Sequence, residues 1–141
     1  MTVRDGIIVS LQNVGKTFDN GTTALDGLTL DVAAGEFVSL LGPSGCGKST
    51  ALRIIAGLSE ASCGEVVSPS RQPDAAAGQV GFVFQDPTLL PWASVADNVM
   101  LPFKLRAAGD APAHASVAQV LKRVGLADSA GVFPRELSGG M

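Results

Sequence analysis

The sequence is poor in the side chains that carry most acid–base, metal and redox chemistry. It has one histidine, His114, and two cysteines, Cys46 and Cys63, among 141 residues. A lone histidine narrows the room for a histidine-based catalytic or metal site. Two cysteines make no disulfide framework, and the default expectation is a reducing cytosol. Charged residues are scarce at 16%, against 46% hydrophobic residues. That balance argues against intrinsic disorder. A basic excess is missing too: 10 basic residues face 13 acidic ones, for a net charge of −3. A general nucleic-acid binder would show a basic stripe, so no nucleic-acid partner is expected. Long hydrophobic runs are also lacking. Charge-free stretches such as Phe37–Gly47 fall well short of the ~20 apolar residues of a spanning helix. The opening MTVRDGIIVSLQNV carries Asp5 early and only a short, interrupted apolar part, unlike a secretory signal.

Glycine is plentiful, with 17 residues, and it punctuates the chain. Ile7–Val14 reads as a first strand. Leu28–Val32 alternates apolar and polar, as a strand with one wet face does. Asp19-Asn20-Gly21 between them is a turn signal. Phe37–Leu41 is a short apolar run, expected to be a strand buried on both faces. A helix is expected from Lys48 to about Ala56, with Leu52, Ile55 and Ala56 on one face and Gly57 as its stop. Glu65–Ser68 suits a short strand, Pro69–Gly78 a loop, and Val80–Phe84 another buried strand. Ser94-Val95-Ala96-Asp97 has the form of a capping box. It opens a helix that Pro102 should end or kink. Ala107–Pro112 reads as a loop. Val117, Val120, Leu121 and Val124 then mark one face of a second helix, closed by Gly125.

The most specific pattern is Gly42-Pro43-Ser44-Gly45-Cys46-Gly47-Lys48-Ser49-Thr50, which fits G-x-x-x-x-G-K-[ST]. Glycines let a backbone wrap closely around an anion with its N–H groups turned inward. The following helix offers its positive N-terminus to phosphates. In this pattern the lysine reaches the β- and γ-phosphates and the Ser hydroxyl coordinates Mg²⁺. A chance match in a chain this long is on the order of 1%. Cys46 is a small filler there, without a nearby histidine in sequence to make it a catalytic thiol. The loop points to a nucleoside triphosphate and does not choose among kinases, GTPases, helicases and transporters.

Other stretches make that choice. VGFVFQD (Val80–Asp86) ends in Gln85, and Leu137-Ser138-Gly139-Gly140-Met141 closes the chain. A helical segment lies between them. Lys16-Thr17-Phe18 is followed by Thr22-Thr23-Ala24-Leu25. Each has an ordinary alternative: Gln85 as a polar strand end, the Ser-Gly-Gly as a turn, Phe18 as a core aromatic. Their order and spacing together resemble the nucleotide-binding subunit of ABC transporters over the whole length. In that resemblance Gly42–Thr50 is the Walker A motif, Gln85 the Q-loop glutamine, and Leu137–Gly140 the family signature. The wording FQDPTLLPWASVADNV and LSGGM is similar to importers of nitrate, sulfonate or taurine.

The resemblance implies an α/β fold: a P-loop NTPase (RecA-like) core, an N-terminal antiparallel β part and a helical subdomain. The division expected is 1–93 for the β-rich and P-loop core, 94–137 for the helical subdomain and 137–141 for the signature. It implies an ATPase that powers transport, with ATP and Mg²⁺ as ligands. ATP would lie on Gly42–Thr50 with its adenine on Phe18. Lys48 and Gln85 would serve catalysis, and Ser49 and Gln85 would hold Mg²⁺. Ser138, Gly139 and Gly140 would reach ATP held by a second, identical subunit, in a head-to-tail dimer. The Asp86–Trp92 run would face transmembrane permease subunits, and a periplasmic substrate-binding protein would act indirectly. For Trp92 itself, docking and buried packing both remain open. The location implied is cytoplasmic, peripheral on the inner face of the cell membrane.

In the family, a Walker B strand, a D-loop and a switch histidine follow the signature, whereas this chain stops at Met141. Asp86 is no substitute, because it precedes the signature and Pro87 follows it. His114 precedes the signature as well and is expected to be a surface residue. The fold is therefore expected to be incomplete and this exact chain inactive alone. The alternatives are a non-catalytic ATP-binding fragment and another P-loop enzyme, such as a small kinase.

Overall fold

The computed structural model describes residues 6–71, 80–105 and 110–141, the side chains of 110–115 excepted. The chain divides between Val83 and Phe84 into two compact units. Residues 84–93, grouped with the core in the sequence reading, fall with the second unit.

The first unit is built on β1 (Ile7–Thr17), flanked by β2 (Thr23–Ala33) and β3 (Cys63–Val67). All pairs are antiparallel, in the order β2-β1-β3. The Asp19–Gly21 turn is present: the Phe18 N–H donates to the Thr22 carbonyl at 2.9 Å. β1 carries an irregularity that decides its burial. Leu11 pairs with Leu30 but Val14 with Leu28, so β1 spends one more residue than β2. Asn13 takes up the excess at φ 49°, and its N–H donates to the Thr29 hydroxyl at 3.1 Å. A regular strand would put Leu11 and Val14 on opposite faces. The bulge turns both inward, and both are fully buried.

The helix α1 (Lys48–Ile55) lies against Leu11, Val14 and Leu25 through Ala51 and Ile54. This corrects the expected face: Leu52 is exposed, and Ile55 packs only at the edge. The cause is Gly47. A Cβ there would meet the Ala24 carbonyl and come 2.7 Å from the Leu25 side chain. That seat fixes the rotation of α1, because residues four and seven beyond Gly47 share its face. At the other end Gly57, at φ 73°, sends its N–H to the Ile54 carbonyl at 3.1 Å. The Ser70 hydroxyl donates to the Ile55 carbonyl at 2.7 Å from a 3₁₀ turn, Pro69–Arg71. The rest of the expected 69–78 loop lies outside the described residues.

Two expected strands do not form. Phe37–Leu41 and residues 80–84 are irregular. A strand exists only where a neighbour takes its backbone hydrogen bonds. Among the described residues, β1, β2 and β3 pair with one another and not with these segments. Leu40 touches the core, while Phe37, Leu41 and Val83 are 93%, 90% and 94% exposed.

The second unit packs α2 (Val95–Leu105) on α3 (Asp110–Arg123). Val95, Met100, Val117 and Leu121 form its core. Of the two outcomes expected at Pro102, an end to α2 does not occur: the helix runs on to Leu105. Val99 and Met100 before it and Phe103 after it all pack into the core, which outweighs one lost backbone bond. α3 begins at Asp110, so the end of the expected Ala107–Pro112 loop is helical; 106–109 lie outside the described residues. Pro112 falls in the first turn, where a missing N–H is tolerated. The expected apolar stripe is corrected as well. Val117 and Leu121 are buried, but Val120 and Val124 are exposed. Gly125, at φ 74°, turns the chain so that the Leu126 N–H reaches the Leu121 carbonyl at 2.8 Å. Leu126 then covers the core in place of Val124.

The start of α2 is capped as its sequence suggests. The Asp97 N–H donates to the Ser94 hydroxyl at 3.2 Å, and that hydroxyl donates to Asp97 Oδ2 at 2.7 Å. The N–H groups of Val95 and Ala96, which a helix leaves unpaired, donate to the carbonyls of Val132 and Ala130, both at 2.9 Å. The Ser94 hydroxyl, then the Lys104 ammonium at 3.2 Å, hold the Asp97 carboxyl below its ordinary value of 3.8.

Gly47→Ala should lower stability by at least about 1–2 kcal/mol, the cost of a left-handed backbone for a residue with a Cβ, and by more once the Ala24 carbonyl must move. Gly131→Ala, where a Cβ meets nothing within 4 Å, should stay within about 0.5 kcal/mol. Denaturant midpoints compare the two. Asp97 has its pKa depressed in the folded state, so its stabilising effect is full above the ordinary carboxylate range and fades as pH falls through the lowered value. The gap in unfolding midpoint between the wild type and Asp97→Asn should therefore be steady at neutral pH and shrink as pH falls toward and then below 3.8. A constant gap would mean that the carboxylate charge contributes nothing.

Candidate phosphate-binding site

The glycine-rich segment runs from the apolar stretch at Leu40–Leu41 into the first turn of α1. Gly42, Gly45 and Gly47 have φ of 154°, 83° and 95°, a region that side chains with a Cβ avoid. Gly42 has a second constraint, since a Cβ there would sit 2.8 Å from Cys46 Sγ. Between these residues the Cys46 N–H points to the Pro43 carbonyl at 3.4 Å.

Lys48 is the first residue of α1. Its ammonium folds back over the loop and donates to the carbonyls of Gly42 at 2.8 Å and Pro43 at 2.6 Å. Cys46 Sγ lies 3.4 Å from the same nitrogen. The first N–H groups of α1 add partial positive charge, and its first turn has no acidic residue. A full cation, a helix N-terminus free of acidic residues in its first turn and a loop of glycines thus converge. That donor set fits a phosphate chain. The Ser49 hydroxyl is exposed in the first turn, a hard oxygen donor suited to Mg²⁺, which keeps waters and phosphate oxygens as its other ligands.

Phe18 stands at the end of β1, 42% exposed, with the Lys16 ammonium 5.4 Å from its ring centre. β2 links this turn to the glycine loop, because it starts just after the turn and its Leu25 is a wall for Gly47. The first unit therefore brings Phe18, Gly42–Gly47 and Lys48–Thr50 onto one frame of β1, β2 and α1. Cys46 and Cys63 are both free and exposed.

Gln85 and the signature belong to the second unit. Gln85 and Asp86 are exposed in irregular chain. Trp92 is 75% exposed, which resolves its two readings against buried packing. Leu137 packs against the core of α2 and α3. The Phe133 N–H donates to Glu136 Oε2 at 2.7 Å, closing a 3₁₀ turn at Pro134–Glu136. Ser138, Gly139 and Gly140 follow exposed, and the Met141 N–H turns back to the Ser138 carbonyl at 3.0 Å. The backbone of His114 lies in α3; its side chain is outside the described residues.

Sequence reasoning missed Glu136 and Asn98. Glu136 stands three residues after Phe133, with Pro134 between, a spacing that carries the signal of a capped turn. Asn98 gave no comparable signal, since its partners are backbone atoms of an irregular segment.

Comparison with known proteins agrees with this geometry. A family model described as ABC transporter matches residues 25–141. An aliphatic sulfonates import ATP-binding protein, SsuB of Yersinia pestis, is 42% identical over 138 residues, covering 98% of this chain and 48% of that protein. A spermidine/putrescine import ATP-binding protein, PotA of Pseudomonas aeruginosa, is 39% identical, covering 94% of this chain and 37% of that protein. The chain thus spans about half or less of the length of these relatives. Among solved structures, a dimeric post-hydrolysis state of the ATP-binding cassette MJ0796 bound to ADP and Pi superposes with a TM-score of 0.81 and 34% identity. It covers 94% of this chain and 64% of that one. The fold is that of part of a P-loop ATP-binding cassette, with an antiparallel sheet and the phosphate loop in one unit and a pair of helices in the other. With the family model matching most of its length, the chain belongs to the ABC transporter family.

Proposed function

We propose that this chain binds ATP as part of the ATPase subunit of an ABC importer. The observation that carries this reading is the Lys48 ammonium, held over the Gly42–Gly47 loop at the N-terminus of α1. Phosphoryl transfer relies mainly on positioning and charge stabilisation. In this reading Gly42, Pro43, Ser44, Gly45, Cys46, Gly47 and Thr50 supply the backbone of the phosphate cradle. Lys48 exchanges its carbonyl partners for β- and γ-phosphate oxygens, and Phe18 stacks on the adenine. Ser49, joined by Gln85, holds Mg²⁺, which when bound draws negative charge from the phosphate oxygens.

Leu137, Ser138, Gly139 and Gly140 form the signature face toward ATP on a second, identical subunit. The dimeric state of the MJ0796 cassette supports that arrangement. Asp86–Trp92 faces a transmembrane permease subunit; its exposed Leu89 and Trp92 support this. No helix among the described residues is long and apolar enough to cross a membrane. In this reading attachment is through that partner, on the cytoplasmic side, with a periplasmic substrate-binding protein acting at one remove. The cargo class is a small anion such as nitrate, sulfonate or taurine. The similarity to SsuB favours a sulfonate, and the PotA similarity marks a polyamine as the competing cargo. Hydrolysis by this chain alone is not expected in this reading, in which Asp86, between Gln85 and Pro87, has no acidic neighbour in sequence. Family membership sets aside the small-kinase reading.

Calorimetric titration with MgATP tests the loop. Lys48→Ala removes a charge-assisted contact worth about 1.5–3 kcal/mol, so affinity should fall roughly 10- to 100-fold; unchanged affinity would sink the proposal. Ser138→Arg separates the two halves of the site. It should leave ATP affinity of the isolated chain unchanged and abolish hydrolysis in an assembled cassette dimer. Hydrolysis that survives in the dimer would remove the signature from the mechanism.

A further inference from the structure

Leu90-Pro91-Trp92-Ala93 forms a turn in which the Ala93 N–H donates to the Leu90 carbonyl at 3.1 Å. Proline at its second position presets the backbone, and Trp92 follows, largely exposed. The turn has no regular structure on its N-terminal side. One side chain spans it from the helix behind. Asn98 Oδ1 accepts from the Leu90 N–H at 2.7 Å. Asn98 Nδ2 donates toward the carbonyls of Leu90 at 3.2 Å, Ala93 at 3.1 Å and Ser94 at 3.0 Å. An amide places a carbonyl acceptor and an NH₂ donor side by side on one side chain. An aspartate would keep the first bond and set a carboxylate against three carbonyl oxygens.

Asn98 is itself fixed. Its backbone N–H bonds to the Ser94 carbonyl at 2.9 Å. The turn of α2 that bears it is held by buried Val95 and Met100. A chain of bonds therefore runs from the helical core, through one amide, to the backbone that carries the exposed tryptophan. We infer that Asn98 is a positioning residue: it locks the Leu90–Ser94 turn and so presents Trp92 as an ordered tip. Its use for docking rests on the permease reading above; the lock itself does not. Ordering before contact spares the entropy that a loose loop would lose on binding.

Trp92 is the single tryptophan, so it reports alone. Time-resolved fluorescence anisotropy of the full chain should show little nanosecond segmental motion in the wild type. Asn98→Ala should increase the amplitude of that motion about twofold or more, on a timescale typical of loops. Asn98→Asp should not restore order. Leu121→Ala, a core truncation in the same unit, should lower the unfolding midpoint without loosening Trp92 while the chain remains folded. Amide exchange gives a reading that does not depend on variants. The Leu90 N–H should be protected in the wild type and should exchange about tenfold faster once its acceptor is lost. The inference is overturned if Leu90 is unprotected in the wild type. It is equally overturned if Asn98→Asp keeps Trp92 ordered, or if Leu121→Ala frees it as much as Asn98→Ala. Should Asn98→Ala not fold, Asn98→Asp and wild-type exchange decide the matter. A lock that holds alongside a Trp92→Ala chain that still assembles with permease would dismiss the docking reading and leave the lock standing.

Discussion

Ala51 and Ile54 press one face of α1 onto Leu11, Val14 and Leu25, and Gly47 sits against the Ala24–Leu25 backbone at the head of the same face. The direction of the glycine loop, and the place where the Lys48 ammonium can reach, both follow from that contact. Burying such aliphatic side chains is worth roughly 1.5–3 kcal/mol each, enough to hold a helix of eight residues that would be marginal in isolation. The bulge at Asn13 belongs to the same constraint. Without it Leu11 or Val14 would face outward, and α1 would lose half of its floor. The phosphate site is thus anchored from behind by apolar packing, while its front consists of backbone dipoles and one charge.

That division explains what could be read from the sequence. Gly42–Thr50 was legible because its chemistry is local: spacing alone sets the glycines, the lysine and the hydroxyl. β1, β2 and the turn at Asp19–Gly21 were legible from alternation and turn residues. The face of α1 was not, because Leu52, Ile55 and Ala56 have the right spacing for a buried face. The choice of Ala51 and Ile54 depends on where Gly47 meets β2, a contact more than twenty residues away along the chain. Phe37–Leu41 and Val80–Phe84 failed for a related reason. Their composition is that of interior strands, yet strand geometry depends on neighbours for its hydrogen bonds. Their exposed Phe37, Leu41 and Val83 belong to apolar runs that lie outside the β2-β1-β3 sheet.

The second unit shows the same limit in helical form. Ser94 and Asp97 were recognisable as a cap from three-residue spacing, and their hydrogen bonds agree. The exposed position of Val120 and Val124 was not recognisable, since it follows from Leu126 folding back after Gly125. Asn98 lies at the far end of legibility. Its partners are backbone atoms, which any sequence supplies, so only the geometry reveals that one amide satisfies several of them. Buried or half-buried amides that bridge main-chain groups are costly to replace because each lost partner is left unpaired.

The Leu137–Gly140 segment depends on a different balance. Leu137 ties it to the helical core, and Glu136 closes the turn before it through the Phe133 N–H. The residues with the chemistry, Ser138, Gly139 and Gly140, stand free in solvent. The Ser138 carbonyl is taken by the Met141 N–H at 3.0 Å, and the three residues are otherwise open to solvent. Such a surface is useful only if a ligand is delivered to it already oriented, which an identical subunit bearing the Lys48 loop would do. The Lys48 loop is built inside one folded unit, whereas Ser138, Gly139 and Gly140 stand exposed just beyond the anchored Leu137. In the dimer reading proposed above, such a two-sided site would bind its ligand fully only when two chains meet. Association would then be coupled to nucleotide binding, each stabilising the other by the same free energy.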